Sequence, residues 1–165
     1  MTTELAEDQF TAIKASQKMS PIKNIIVALD LSPHSKATAQ YASGIAKTFG
    51  ASLVLIHVYE PLQTNEFLTE EDIRRLDHEQ DVVRQALTDL TKTLQKTYSA
   101  CTEKFVIGEP AEKVASAARE LDADLIITAR HHPSFLGKLF GLDLAPKIMH
   151  LAPCPVLVYH SRGEG

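Results

Sequence analysis

The chain has 165 residues, the length of one compact domain, and 44% of them are hydrophobic, which is enough to bury a core without disulfides or metal. Its net charge is −4 and its basic residues are dispersed, which argues against the basic patch expected of a nucleic-acid-binding protein. The cysteines, Cys101 and Cys154, lack C-x-x-C or zinc spacing and indicate two structural thiols in a reducing compartment.

The first 20 residues are polar and carry acidic side chains early, without the apolar stretch of a signal peptide or a membrane span. We therefore expect a cytoplasmic protein that makes no membrane contact. Residues 1–20 are interpreted as an N-terminal extension with room for one loosely docked helix. A single domain is predicted over residues 21–161, followed by a short tail at 162–165.

Five apolar runs predict β-strands. The runs at 24–30, 52–60 and 123–129 are rich in Val, Ile and Leu, as expected of buried strands, and a last strand is predicted at 155–160 after the proline-containing turn "APCP". The run at 101–108 is more polar, which is typical of a strand nearer the edge of a sheet.

Helical patterns fill the intervals between these strands. Ser32 is a candidate N-cap with Pro33 at the first helical position and Gly50 as a stop, which predicts a helix within 31–50. Pro110 opens a second predicted helix over 109–122, and another is expected around 142–151. A long amphipathic helix is predicted from positions that recur at steps of three and four and are apolar except for Gln80, namely Ile73, Leu76, Gln80, Val83, Leu87, Leu90, Leu94 and Tyr98. We interpret this stripe as core, although the length of the helix would also give a second copy or a partner protein a surface to bind.

This alternation of strands and helices predicts an α/β domain with a parallel sheet, helices on both faces and right-handed crossovers. Ligand sites in such open sheets lie beyond the carboxyl ends of the strands, where strand order reverses. The candidate positions are Asp30, Tyr59–Glu60, Gly108–Glu109 and the loop that follows Ala129.

Several stretches, taken in order, resemble the universal stress protein family over residues 22–160. They are "IIVALDLSPHS", "ASLVLIHVYE", "GEPAEKVASAARELDADLIITA" and "IMHLAPCPVLVYH". The resemblance implies an open five-stranded parallel sheet in the order 3-2-1-4-5, a Rossmann-like fold of the adenine nucleotide alpha hydrolase type. It also implies a homodimer that pairs its last strands, through Val156, Val158 and His160.

Many members of this family bind ATP through G-x2-G-x9-G-[ST] after the fourth strand, with an Asp ending the first strand and a Val near the end of the second. Asp30 and Val58 match those two positions. When the segment between "ITA" and "APCP" is aligned with the motif without gaps, Ala129 and His132 fall on the first two glycines and Leu142–Asp143 on the Gly-Ser pair. No glycine in the chain directly precedes Ser or Thr. The Asp143 carboxylate would disfavour phosphate binding by electrostatic repulsion of about 1–4 kcal/mol per contacting charge pair. The sequence therefore predicts a degenerate motif and no ordinary ATP binding.

Other residues leave alternatives open. Arg130, His131 and Lys138, with His132 and Lys147 nearby, are either scattered surface charge or contacts to an anion in another geometry. Asp30 either binds a nucleoside or cation or stabilises the start of the next helix. His57, inside an apolar strand, is interpreted as a hydrogen-bonded core residue, and the adjacent histidines do not have the spacing of a metal site. The carboxylates Asp122 and Asp124 fall at a turn between helix and strand and are not interpreted as a catalytic pair.

The resulting hypothesis is a cytoplasmic, homodimeric stress-response factor that acts through contacts with itself and an unidentified protein partner, without cofactor, metal or catalysis. The alternative is a nucleotide-binding switch for ATP, AMP or a cyclic nucleotide, with magnesium, in which Asp30 and Val58 hold the nucleoside and a rearranged loop meets the phosphate. A slow nucleotide hydrolase is a third interpretation. It has little support, because no Ser or Cys nucleophile with a paired base can be identified from the spacing.

Overall fold

The computed structural model describes residues 21–61, 67–129 and 144–160. Its strands are β1 (Asn24–Ala28), β2 (Ser52–Tyr59), β3 (Cys101–Ile107), β4 (Leu125–Ala129) and β5 (Val156–Tyr159). Its helices are α1 (Ser35–Phe49), α2 (Glu70–Gln95), α3 (Pro110–Glu120) and α4 (Leu144–Leu151). All strand pairs are parallel and the order is β3-β2-β1-β4-β5, which confirms the predicted five-stranded sheet and the predicted edge position of β3.

The sheet is covered on both faces by helices. On one face, side chains such as Val27, Leu55 and Ile127 pack with residues of α1 and α2. On the other face, Ile26 and Ile126 pack with residues of α3 and α4. Each of these buried aliphatic side chains contributes roughly 1.5–3 kcal/mol of transfer free energy, so the alternating side chains of the central strands supply much of the stability.

The start of α1 differs from the prediction. The helix begins at Ser35, and His34 occupies the cap position without a side-chain hydrogen bond, so the prediction of Ser32 as N-cap was wrong. The reason is that a turn forms first, in which the N–H of Ser35 donates to the carbonyl of Ser32 at 2.9 Å. The predicted stop is confirmed, because Gly50 has the left-handed φ of 64° that favours glycine at a helix end.

The long helix α2 begins with a capping box that the sequence pattern did not identify. Thr69 accepts a hydrogen bond from the N–H of Asp72, and the Asp72 carboxylate accepts one from the N–H of Thr69. Only Leu87, Thr91 and Leu94 of this helix are buried. The interpretation of its apolar stripe as core is therefore right for the second half of the helix and wrong for the first half.

Both cysteines are free thiols, as predicted: Cys101 is buried and Cys154 is half-buried. Burial raises the pKa of the Cys101 thiol to about 11, so this group stays protonated and unreactive near neutral pH. None of the helices in the described residues is long and apolar enough to cross a membrane.

Asp124 fastens the amino end of β1 to the turn that precedes β4. Its Oδ2 accepts hydrogen bonds from the backbone N–H groups of Lys23, at 2.8 Å, and Asn24, at 2.9 Å. These two bonds, with the nearby Lys23 charge, hold the pKa of the Asp124 carboxyl below its usual value. The neighbouring Asp122 has a φ of 48°, a left-handed conformation that Asp and Asn tolerate better than other residues with side chains.

We predict that Asp124→Asn lowers the free energy of unfolding by about 1 kcal/mol at neutral pH, because two charge-assisted hydrogen bonds lose their carboxylate. The folded-state pKa is depressed, so this stabilisation is present above the unfolded pKa of about 4 and is lost as the pH falls through the folded value. Urea unfolding of both proteins between neutral and acidic pH measures the difference. Asp122→Asn removes the same charge two residues away and should leave stability unchanged; an equal loss in both variants would refute the role of the Asp124 bonds.

Candidate functional site

A narrow cleft opens at the carboxyl end of the central strands, on the face covered by α3 and α4. Its described lining comes from all the elements that meet there, and comprises Ala28, Leu29, Asp30, Ile56, His57, Val58, Pro110, Val114, Thr128 and Leu144. Because β1 lies between β2 and β4, these residues meet where the direction of strand order reverses. This is the position at which open parallel sheets bind ligands.

Asp30 organises the rim of this cleft. Its Oδ1 accepts hydrogen bonds from the N–H of Ser32, at 3.0 Å, and from the hydroxyl of Ser35, at 2.6 Å. Between Asp30 and these partners, Leu31 adopts a φ of 59°. A left-handed conformation costs a leucine roughly 1–2 kcal/mol, so the hydrogen bonds to Asp30 hold a strained turn at the mouth of the site.

His57 is 5% exposed and lies within β2. Its Nδ1 is 2.8 Å from the carbonyl oxygen of Leu29, and because a carbonyl can only accept, Nδ1 carries the proton. Burial lowers the pKa of His57, an effect opposed by the Leu29 hydrogen bond and by the charge of Asp30. His57 is therefore a neutral, hydrogen-bonded core residue near pH 7, as its sequence context predicts.

The turn between β3 and α3 forms another part of the rim. Gly108 has a φ of 142°, and a Cβ there would lie 2.4 Å from Cε of Lys113, so both conformation and space favour glycine. Glu109 caps α3 by accepting a hydrogen bond from the N–H of Glu112 at 2.6 Å, and Pro110 takes the first helical position as predicted. A carboxylate thus already occupies the N-terminus of α3, the end of a helix that otherwise attracts anions.

The predicted nucleotide-binding residues have different outcomes. Asp30 and Val58 both line the cleft, whereas Ala129 ends β4 and is not among the described lining residues. The other positions predicted for the phosphate loop lie outside the described residues, and they are His132 and Asp143 with the possible anion contacts Arg130, His131 and Lys138. Thr128, Pro110 and Leu144 line the cleft without having been predicted, because a threonine in an apolar strand and apolar residues at helix starts resemble ordinary core residues.

The described lining of the cleft offers no cationic side chain to a highly charged anion. Among its described lining residues, Asp30 carries the ionised side chain and neither Lys nor Arg is present. Within residues 21–61, 67–129 and 144–160, no group of three or more His, Cys, Asp or Glu side chains is arranged to hold a metal ion. The described part of the site is therefore suited to an apolar or uncharged group, with Asp30 and Thr128 as polar contacts.

Comparison with known proteins identifies relatives over most of the chain. The model of the universal stress protein family matches residues 21–160. A universal stress protein of Thermus aquaticus is 33% identical over 139 residues, covering 82% of this chain and 97% of the relative. Universal stress protein A homolog 1 of Coxiella burnetii is also 33% identical, over 144 residues, covering 82% of this chain and 94% of the relative.

Solved structures show the same fold. Universal stress protein UspA from Lactobacillus plantarum superposes with a TM-score of 0.67 at 22% identity, over 84% of this chain and 98% of that one. A universal stress protein solved in complex with cAMP gives a TM-score of 0.62 at 20% identity, over 86% and 98% of the two chains. One from Archaeoglobus fulgidus, in complex with dAMP, gives 0.56 at 19% identity, over 84% and 98%. From the match over residues 21–160, together with a sheet of the order that the resemblance implies, the chain belongs to the universal stress protein family.

Proposed function

We propose that this protein is a cytoplasmic, homodimeric stress-response factor that acts through protein contacts and does not bind ATP in the manner of the ATP-binding members of its family. The observation that carries the proposal is the carboxylate at each helix start where phosphate would be stabilised. Glu109 caps α3, and Asp143 falls, in sequence register, on the Gly-Ser pair of the family motif. Two negative side chains at these positions repel a triphosphate that the described cleft lining offers no cation to neutralise.

The two edges of the sheet support a homodimer through β5. The β3 edge carries Glu103 and Lys104, and charged side chains on an edge strand discourage pairing with another copy. The β5 edge, with sequence VLVY, has no charge, and Val158 is 38% exposed. Tyr159 stacks on Tyr41 of α1, with ring centroids 4.4 Å apart, and this contact packs the end of β5 against α1.

We do not propose catalysis. Ser35 is buried and donates its hydroxyl hydrogen to Asp30, which makes it part of the turn at the rim of the cleft. The Cys101 thiol is buried with a raised pKa, and His57 has its Nδ1 engaged by Leu29. Among the described residues, these side chains do not assemble a nucleophile with a base and an orienting acid.

A second candidate function is a switch that binds a nucleoside monophosphate or a cyclic nucleotide. The observation in its favour is that Asp30 and Val58 line one cleft, and that related folds were solved with cAMP and dAMP. The described lining suits a base and ribose better than a triphosphate. In this case Arg130, His131 and Lys138 would supply the contacts to the single phosphate.

We predict that calorimetric titration of the purified protein with ATP and magnesium gives no binding in the micromolar range. The double substitution Leu142→Gly with Asp143→Ser restores the Gly-Ser pair, and by removing the carboxylate it should strengthen ATP binding about tenfold or more. Leu142→Gly alone, which keeps the carboxylate, is the matched control. Micromolar affinity in the unmodified protein would contradict the proposal.

The dimer is tested by Val158→Lys, which places a charge on the β5 edge. We expect light scattering to show monomer or aggregate in place of dimer, because a buried unpaired ammonium costs several kcal/mol. Ile107→Lys, on the opposite edge strand, changes a residue of similar exposure, 46%, and should leave the dimer intact. A dimer that persists in Val158→Lys means that the interface lies elsewhere.

For the second candidate, the prediction is that gentle purification retains AMP or a cyclic nucleotide, detected by mass spectrometry of a denatured extract. Calorimetry with AMP and cAMP should then give affinity that falls about tenfold in Asp30→Asn, which keeps the size of the side chain but removes its charge. An empty extract, together with no heat from either nucleotide, would exclude this function.

A further inference from the structure

The first half of α2 extends past the sheet on which its second half packs. With 26 residues the helix is about 39 Å long, whereas the 7 residues of β3 span about 23 Å. The side-chain amide of Gln95 donates to the carbonyl of Cys101 at 2.7 Å, which fixes the end of the helix at the start of β3. The guanidinium of Arg84 lies over the ring of Phe105, 4.3 Å from the ring centroid. Phe105 is only two residues from the end of β3. The turns before Arg84 therefore reach the carboxyl edge of the sheet and continue beyond it.

The apolar stripe of α2 follows a heptad repeat along its whole length. Ile73, Leu76, Gln80, Val83, Leu87, Leu90 and Leu94 alternate steps of three and four, as the a and d positions of a coiled coil do. Leu87 and Leu94 are buried against the sheet, whereas Ile73 is 47% exposed and Leu76, Gln80 and Val83 are half-buried. The a and d positions of the last two heptads therefore pack against the sheet. Those of the first two heptads, called the seam below, lie at the surface of the domain.

The charges beside this seam are all of one sign. The e and g positions of the first two heptads are Glu70, Asp72, Asp77 and Glu79. Arg75, at a c position next to the g positions on the helix surface, pairs with Asp72 at 3.3 Å and offsets one of these four charges. Acidic e and g positions repel an identical helix in either a parallel or an antiparallel arrangement, and they attract a helix with Lys or Arg at those positions.

We propose that the first half of α2, residues 70–83, is a docking surface for a basic amphipathic helix of another protein, with apolar a and d positions and Lys or Arg at e and g. The inference rests on the proposed role in protein contacts and specifies the chemistry of the partner. A second copy of this chain is disfavoured by its own acidic flanks. Residues 1–20 also fit poorly, because Glu4, Glu7 and Asp8 outnumber Lys14 and Lys18. The chain also enters the domain at the amino end of β1, whereas the first half of α2 lies beyond the carboxyl ends of the strands. Two heptads make a short coiled coil, so we expect binding to be reversible and sensitive to salt.

The test uses the full chain and a fluorescent synthetic peptide of about three heptads, with Leu at a and d and Lys at e and g. Fluorescence anisotropy should show saturable binding of this peptide, and none of a peptide with Glu at e and g or of a scrambled Lys peptide of equal charge. Ile73→Asp should weaken binding at least tenfold, about 1.4 kcal/mol. Val82→Asp is the matched control, because Val82 is 55% exposed on the opposite side of the same helix, and its substitution should change affinity little.

Charge-reversal variants distinguish binding at the a, d, e and g positions of α2 from nonspecific attraction of a basic peptide to an acidic protein. Asp77→Lys with Glu79→Lys should exchange the preference from the Lys peptide to the Glu peptide. Glu71→Lys with Asp81→Lys makes the same change in net charge away from the seam and should keep the original preference. The proposal is overturned if the Lys peptide does not bind, if both double variants behave alike, or if Ile73→Asp dissociates the dimer. The dimer measurement and the ATP titration of the unmodified protein do not depend on the peptide, so failure of this proposal leaves the proposed function standing.

Discussion

The burial of β1 and β4 on both faces is the constraint on which the rest of the structure depends. Ile25, Ile26 and Val27 in β1, and Ile126 and Ile127 in β4, are almost completely removed from solvent. Strands of this kind must be parallel, centrally placed and covered by helices above and below, which requires a crossover helix between consecutive strands. The strands therefore end together at one edge, and the loops that follow them supply the cleft. The position of the candidate site is thus a consequence of where the core is.

The cleft lies where open parallel sheets bind ligands, but the polar side chains around it are engaged in contacts within the chain. The fold provides an opening at the carboxyl ends of neighbouring strands, and Asp30 and Val58 line it. Yet Asp30 holds the turn through Ser32 and Ser35, and Glu109 neutralises the positive end of α3. These contacts stabilise the polypeptide around the cleft by using groups that could otherwise serve a charged ligand. The cleft therefore keeps the position that open parallel sheets use for ligands, while the polar groups described at its rim are engaged in contacts within the chain.

Much of the fold could be predicted from the sequence, because short apolar runs rich in β-branched residues, such as 24–30 and 123–129, are typical of buried strands. The pairing of these strands could not, since periodicity does not say which strands are neighbours, and the order came from the family resemblance. Ser32 was mistaken for a cap because the Asp30 side chain, five residues before the helix, determines the turn. The exposure of Ile73 also escaped prediction, because a heptad pattern looks the same whether a sheet or a partner covers it. In the site, Asp30 and Val58 were found by resemblance, whereas Thr128 has no local signal that separates it from a core residue.

The unequal edges of the sheet would limit association if two copies pair through β5 as proposed. Glu103 and Lys104 guard the β3 edge, whereas β5 has an apolar sequence and an exposed Val158. When two copies pair edge to edge about a two-fold axis, both β5 strands become buried in the interface and both β3 strands lie at the outer edges of the dimer. Growth then terminates, since no further apolar edge is offered. The same chain with a β3 edge as apolar as β5 would offer a second site for strand addition, and the closed pair would become the repeat unit of a filament.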